Sequence, residues 1–140
     1  MTATEQLAAA YLAEGLVKGS IALYKRVLDD RERELGPTHP DTIAVVAGLA
    51  AADREAGRMA EAVQLYERAC ADSERHLGAD HRDTLIRCAH LAHTYYAVGR
   101  WGDSAALHRD LLARCERVLP SEDPLTQRVR QNLVSIAGDV

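Results

Sequence analysis

The feature that most constrains this chain is its self-similarity. The stretch from Leu35 to Ile43, LGPTHPDTI, recurs as LGADHRDTL from Leu77 to Leu85, a displacement of 42 residues (77 − 35). The same displacement aligns much of the rest. Leu7, Leu49, Leu91 and Leu133 form one column, Ala8, Ala50 and Ala92 the next, and Gly15, Gly57 and Gly99 a third. Small residues Ser20, Ala62 and Ser104 follow, then Leu23, Leu65 and Leu107 beside Tyr24, Tyr66 and His108. A chain that repeats at such a period folds as stacked copies of one small unit, because a single unit cannot bury its apolar face alone.

Each unit reads as two helices. In the middle one, Ile43, Val46, Leu49, Ala50, Asp53 and Ala56 recur at helical spacing. Gly57 then supplies a residue that readily takes positive φ where a helix ends. A second helix runs from about Met59, with Ala62, Val63, Leu65, Tyr66, Ala69 and Cys70 on its apolar side, and stops near Gly78. The next unit repeats this from Arg82 to Val98 and from Trp101 to Leu119. The first unit begins inside its first helix, and the residues after Leu119 supply one more helix of the first type. The expected fold class is all-α: about seven helices, antiparallel to their sequence neighbours, each of about 12 to 18 residues and so about 18 to 27 Å long. The chain is expected to form one domain over residues 1–140, with units near 1–34, 35–76 and 77–118 and a terminal helix over 119–140. The small columns at Ala8/Ala50/Ala92 and Ser20/Ala62/Ser104 let the two backbones of each hairpin approach closely. Composition agrees: 47% of residues are hydrophobic, chiefly Ala and Leu, and there is no Phe.

A formal net charge of −4 gives no electrostatic reason to expect nucleic acid or an anionic membrane as partner. No apolar run is long enough to span a bilayer. The first residues lack a basic stretch before an apolar one, so no signal peptide is expected and a cytoplasmic location is. The three cysteines, Cys70, Cys88 and Cys115, are odd in number and show no CxxC spacing, which predicts free thiols.

The repeated His39/Asp41 and His81/Asp83 pairs invite a search for catalysis or metal binding. Their regular spacing predicts helix starts instead, with Thr38 or Asp80 accepting from backbone N–H groups, Pro40 in the first turn, and acidic residues complementing the helix dipole. Ser121 to Pro124 is a third such start without His. His90 and His93 lie three apart near Cys88, but no further ligands stand at metal-site spacing. Cys70 aligns with Leu28 and Leu112 and reads as a small buried hydrophobe; Cys115 aligns with Ser73 and Arg31 and is expected to be exposed. There is no glycine-rich phosphate loop, GxSxG or HExxH, and the many carboxylates interleave with Arg as solvated helix faces. The expectation is a chain that is not an enzyme and takes no metal or cofactor.

The columns resemble the tetratricopeptide repeat. Leu49, Ala50, Asp53, Gly57, Ala62, Tyr66 and Ala69 in one unit, and Leu91, Ala92, Tyr95, Gly99, Ser104, His108 and Leu111 in the next, follow that family's pattern, with Asp53, His108 and Leu111 as departures. The longer period and the LGxxHxDT joint resemble the kinesin-light-chain type, also common in bacterial regulatory and signalling proteins. The resemblance implies a right-handed superhelix whose first-type helices line a concave groove that binds a peptide or partner protein. The groove positions it implies are Glu5, Ala9 and Leu12; Ala44, Ala47, Ala51 and Arg54; Ile86, Ala89, His93 and Tyr96; and Arg128, Gln131 and Ser135. The Lys/Asn set with which related adaptors clamp a terminal carboxylate is absent, Ala47, Ala51 and Ala89 standing there instead. An alternative expectation is a homodimer packed through repeat ends, since Leu7, Tyr11, Leu16 and Ile21 have no preceding repeat in this sequence.

Overall fold

The computed structural model describes residues 2–139. Seven α-helices follow one another: α1 (Ala3–Ala13), α2 (Val17–Leu35), α3 (Pro40–Glu55), α4 (Met59–His76), α5 (Arg82–Ala97), α6 (Trp101–Val118) and α7 (Pro124–Asp139). All regular elements among the described residues are helical, and their bounds fall within a few residues of those read from the repeat. None of these helices is long and apolar enough to cross a membrane. The chain divides into two compact units, residues 1–72 and 73–140.

The repeated glycines end the first-type helices. Gly15, Gly57 and Gly99 take φ of 81°, 78° and 82°. That left-handed residue lets the next N–H return to the helix: Leu16 N donates to Tyr11 O at 2.8 Å, Arg58 N to Asp53 O at 2.8 Å and Arg100 N to Tyr95 O at 2.9 Å. The glycine N–H groups bond to the carbonyls one residue further along, those of Leu12, Arg54 and Tyr96. Together these are Schellman closures, which satisfy the orphan carbonyls of a helix end and turn the chain sharply into the next helix.

In the first unit α1 packs on α2 and α2 on α3. The core gathers Ala8 from α1, Tyr24, Val27 and Leu28 from α2, Ile43, Val45, Val46, Leu49 and Ala52 from α3, and Ala69 from α4. Because α3 is covered on more than one side, its apolar residues do not confine themselves to a single stripe. The small column acts as expected, with a hydrogen bond added. Ser20 Oγ donates to the Ala8 carbonyl at 2.8 Å, and both residues are fully buried. Close approach of this kind fixes the hairpin by removing the space between backbones.

The second unit repeats the device. α5 packs on α6, and α6 on α7. Leu85, Cys88, Leu91, Ala92, Leu111, Cys115, Leu125, Val129 and Ile136 are buried. Ser104 Oγ donates to the Ala92 carbonyl at 2.7 Å.

The cysteines require two corrections. Cys115 is fully buried, not exposed, and is the one free cysteine among the described residues. Its alignment with Arg31 misled, because Ser73, the other member of that column, is buried as well. Cys70 and Cys88 are buried too, but neither is a free thiol. An odd count guarantees only one unpaired cysteine, and the lack of CxxC spacing excludes only pairs that are close in sequence, so the expectation of three free thiols does not hold.

Candidate binding faces

The joints between repeats come first, because they decide where chemistry can be. His39 is the N-cap of α3 and His81 the N-cap of α5. Each imidazole Nδ1 accepts from the backbone N–H two residues on, Asp41 and Asp83, at 3.1 Å. The structural reading of the joint therefore holds, but the cap is the histidine itself, not Thr38 or Asp80. An imidazole nitrogen two bonds from Cβ reaches the orphan N–H as an Asn or Asp oxygen would. The third joint confirms the role: Asp123, 42 residues after His81 (123 − 81), accepts from Leu125 N at 2.9 Å. Asp123 also receives both arms of Arg82, at 2.9 and 3.2 Å, and these bonds with the Leu125 N–H hold its carboxyl below the usual carboxylate range. The threonines of the motif close the joint from inside, Thr42 Oγ1 donating to Gly36 O at 2.8 Å and Thr84 Oγ1 to Ser73 O at 3.3 Å. With Nδ1 committed to backbone, neither His–Asp pair is arranged as a proton relay.

The departure at Asp53 has a local explanation. Its repeat equivalent Tyr95 lies under the Arg100 guanidinium, 4.2 Å from the ring centroid. Arg58 occupies the same place relative to Asp53, with Nε 3.3 Å from Oδ1. An ion pair thus replaces a cation–π contact at one repeat position. Asp53 is almost wholly buried, and burial pushes its carboxyl up; Arg58 and Lys25 oppose that and Glu61 adds to it.

In the first unit, Ala44 is exposed on α3 and Ala47, Ala51 and Arg54 are half-buried along the same line. Spacings of three, four and three residues put them on one face. Ala9 and Leu12 of α1 are likewise half-buried. Arg54 Nη1 is buried without a hydrogen-bond partner, a donor left open at the end of an otherwise apolar strip. Glu5 departs from the expected set. Its carboxylate is buried, accepts from Arg31 of α2 at 2.6 Å, and completes a capping box with Thr2 at the start of α1. A carboxylate committed to its own helix and its neighbour presents no free charge to a ligand.

In the second unit, Ile86, Ala89 and Tyr96 of α5 are half-buried and His93 is exposed; Arg128, Gln131 and Ser135 of α7 are exposed. The structure brings three of these together. His93, Tyr96 and Ser135 line a cavity of about 90 Å³ with His108, Asn132 and Ile136. Sequence reasoning missed the last three as site residues. The available signal was His108 itself, which breaks an aromatic column otherwise held by Tyr24 and Tyr66.

Against known proteins, residues 1–75 match a family model described as tetratricopeptide repeat, and residues 84–125 match a second model of the same description. The crystal structure of Podosopora anserina kinesin light chain nearly identical TPR-like repeats superposes with a TM-score of 0.88 at 27% identity, over 95% of this chain and 63% of that one. A point variant of that protein gives the same values. BtubC (BKLC) from P. vanneervenii matches in fold, with a TM-score of 0.82 at 22% identity, over 95% of this chain and 52% of that one. This chain therefore spans less than two thirds of either protein. No curated protein matches.

Proposed function

The chain belongs to the tetratricopeptide repeat family, and on that premise we propose that it is a non-catalytic module that binds a peptide or partner protein through its first-type helices. Within the first unit the binding face is Ala9 and Leu12 on α1 with Ala44, Ala47, Ala51 and Arg54 on α3. Within the second it is Ile86, Ala89, His93 and Tyr96 on α5 with Arg128, Gln131 and Ser135 on α7. The observation that carries the reading is Arg54: a guanidinium nitrogen buried without a partner at the end of an alanine strip. A buried donor costs free energy until an acceptor is supplied, and a peptide carbonyl or carboxylate laid along the alanines supplies one. A bacterial regulatory or signalling setting and a cytoplasmic location belong to the same reading and rest on the sequence resemblance.

Selection from a random peptide library tests it. The wild type is expected to enrich a peptide family, and Ala47→Glu with Ala89→Glu, which place charge on each face, to abolish that enrichment. Arg33→Ala, on an exposed side chain of α2, is expected to leave it unchanged. Enrichment that ignores the two blocking substitutions would refute the face assignment.

The alternative, self-association, has one specific support. Leu7 and Leu16 are 45% and 53% exposed, and Leu16 lines an apolar cleft with Tyr11, Gly15, Val17, Lys18 and Gly19. Light scattering over a hundredfold concentration range decides it: a dimer abolished by Leu16→Glu supports this reading, and a monomer throughout removes it.

A further inference from the structure

One residue lining the cavity of the second unit carries a polar atom that nothing in the molecule satisfies. His108 is 1% exposed on α6, and its Nε2 is buried with no hydrogen-bond partner. The other ring nitrogen is fully engaged: Nδ1 lies 2.9 Å from the Ser104 carbonyl and 3.3 Å from Ser104 Oγ. A carbonyl oxygen can only accept, so Nδ1 carries the proton. Burial, with His93 nearby, disfavours the charged ring, so Nε2 carries a bare lone pair. Buried acceptors in native proteins almost always have partners, and one left open on a residue that lines a cavity points to a donor held there.

The chemistry of the cavity narrows the donor. No carboxylate lines it, and a cation there would face the His93 ring with nothing to offset its charge. An anion would meet the lone pair of Nε2. A neutral group remains. The volume of about 90 Å³ holds about three waters at about 30 Å³ each, or one group of about four heavy atoms. Asn132 and Ser135 in the lining can donate to a carbonyl. In the first unit the equivalent position, Tyr24, is filled by a phenol ring packed in the core, so the smaller imidazole accounts for the space.

We propose that this cavity is a side-chain pocket for a primary carboxamide, the end of a Gln or Asn of the bound partner, whose NH2 donates to His108 Nε2 and whose carbonyl accepts from Asn132 or Ser135. It rests on the face reading above, since His93, Tyr96 and Ser135 belong to both.

Acetamide is the probe, followed by the long-range 15N spectrum of the His108 ring. Acetamide is expected to shift Nε2 saturably while leaving Nδ1 in place. Acetone, of the same size but without N–H, is expected not to. His108→Phe removes the acceptor and, followed on the Asn132 side-chain amide in place of the ring, is expected to weaken acetamide binding about tenfold, the loss of one buried hydrogen bond. Ser135→Leu, at an exposed position on α7, closes the mouth without touching the core and is expected to do the same. No saturable shift, an equal response to acetone, or undiminished binding by Ser135→Leu would overturn the pocket, leaving ordered water as its content. The peptide library separates the two readings. Binders that favour Gln or Asn at one position for the wild type but not for His108→Phe support both. Binders without that preference overturn the pocket and leave the face. Saturation by acetamide with no peptide binder overturns the face and leaves the pocket.

Discussion

Gly48→Ala should destabilise the first unit, although alanine is the better helix former. Gly48 lies inside α3, where replacing glycine ordinarily gains about 1 kcal/mol. Here an added Cβ would lie 2.6 Å from Tyr24 Cε1 and 2.8 Å from Cζ. Comfortable carbon contacts are at about 3.5–4.0 Å, so the ring must retreat by about 1 Å. Tyr24 is 7% exposed and held in the core, where such overpacking costs about 1 to 3 kcal/mol. Set against the gain of about 1 kcal/mol, the net expectation is a loss of up to about 2 kcal/mol, or a fall in Tm of up to about 6 °C for a chain of this size. Urea unfolding followed by far-ultraviolet circular dichroism measures it. Gly102→Ala is the control: nothing lies within 4 Å of its added Cβ, so it should be neutral or slightly stabilising. In a Tyr24→Leu background the penalty of Gly48→Ala should shrink, because the two sites share one contact. A Gly48→Ala protein more stable than the wild type, or a penalty unchanged by Tyr24→Leu, would refute the reasoning.

Three further outcomes are expected. His81→Ala should cost about 1 kcal/mol by removing the α5 cap, and His81→Asn should recover most of it, measured by urea unfolding; equal losses would show that the cap is not the role. For Asp53 the folded-state carboxyl is raised, so between its unfolded value of about 3.9 and the folded one the native state binds more protons. Stability from this group is therefore lost as pH rises through that window; Asp53→Asn should be the more stable protein at pH 7, with the difference closing as acid is added. A difference that grows in acid would contradict the assignment. Cys115 is buried and its thiol pushed up, chiefly by burial and further by Asp123, so it should resist disulfide-exchange reagents in native protein and react only on unfolding; rapid native labelling at that residue would contradict its burial.

The repeat made the helices legible, because its period carries both the apolar spacing and the punctuation. Gly15, Gly57 and Gly99 recur where positive φ is required, so their column marked helix ends directly. The small columns announced the close hairpin contacts at Ala8 and Ala92. Atomic partners were less legible. That a joint starts a helix followed from its polar cluster, but the capping atom is His Nδ1 because the first-turn backbone presents its N–H there. Glu5 sat at a face position by register, yet Arg31, 26 residues later (31 − 5), turns it inward. The cavity at His108 follows from a missing volume, which one sequence shows only as a break in a column. Repeat register fixes where a side chain starts and leaves open what it meets.

The most direct test of the interaction-module account is a map of backbone amide shifts on titrating a library-selected peptide. The largest changes are expected at Ala44, Ala47, Ala51 and Arg54 of α3 and at Ile86, Ala89, His93 and Tyr96 of α5, with α2 little changed and α6 changed only around His108. Changes concentrated instead on α2 and α6, around Ile21, Leu23 and Trp101, would contradict it.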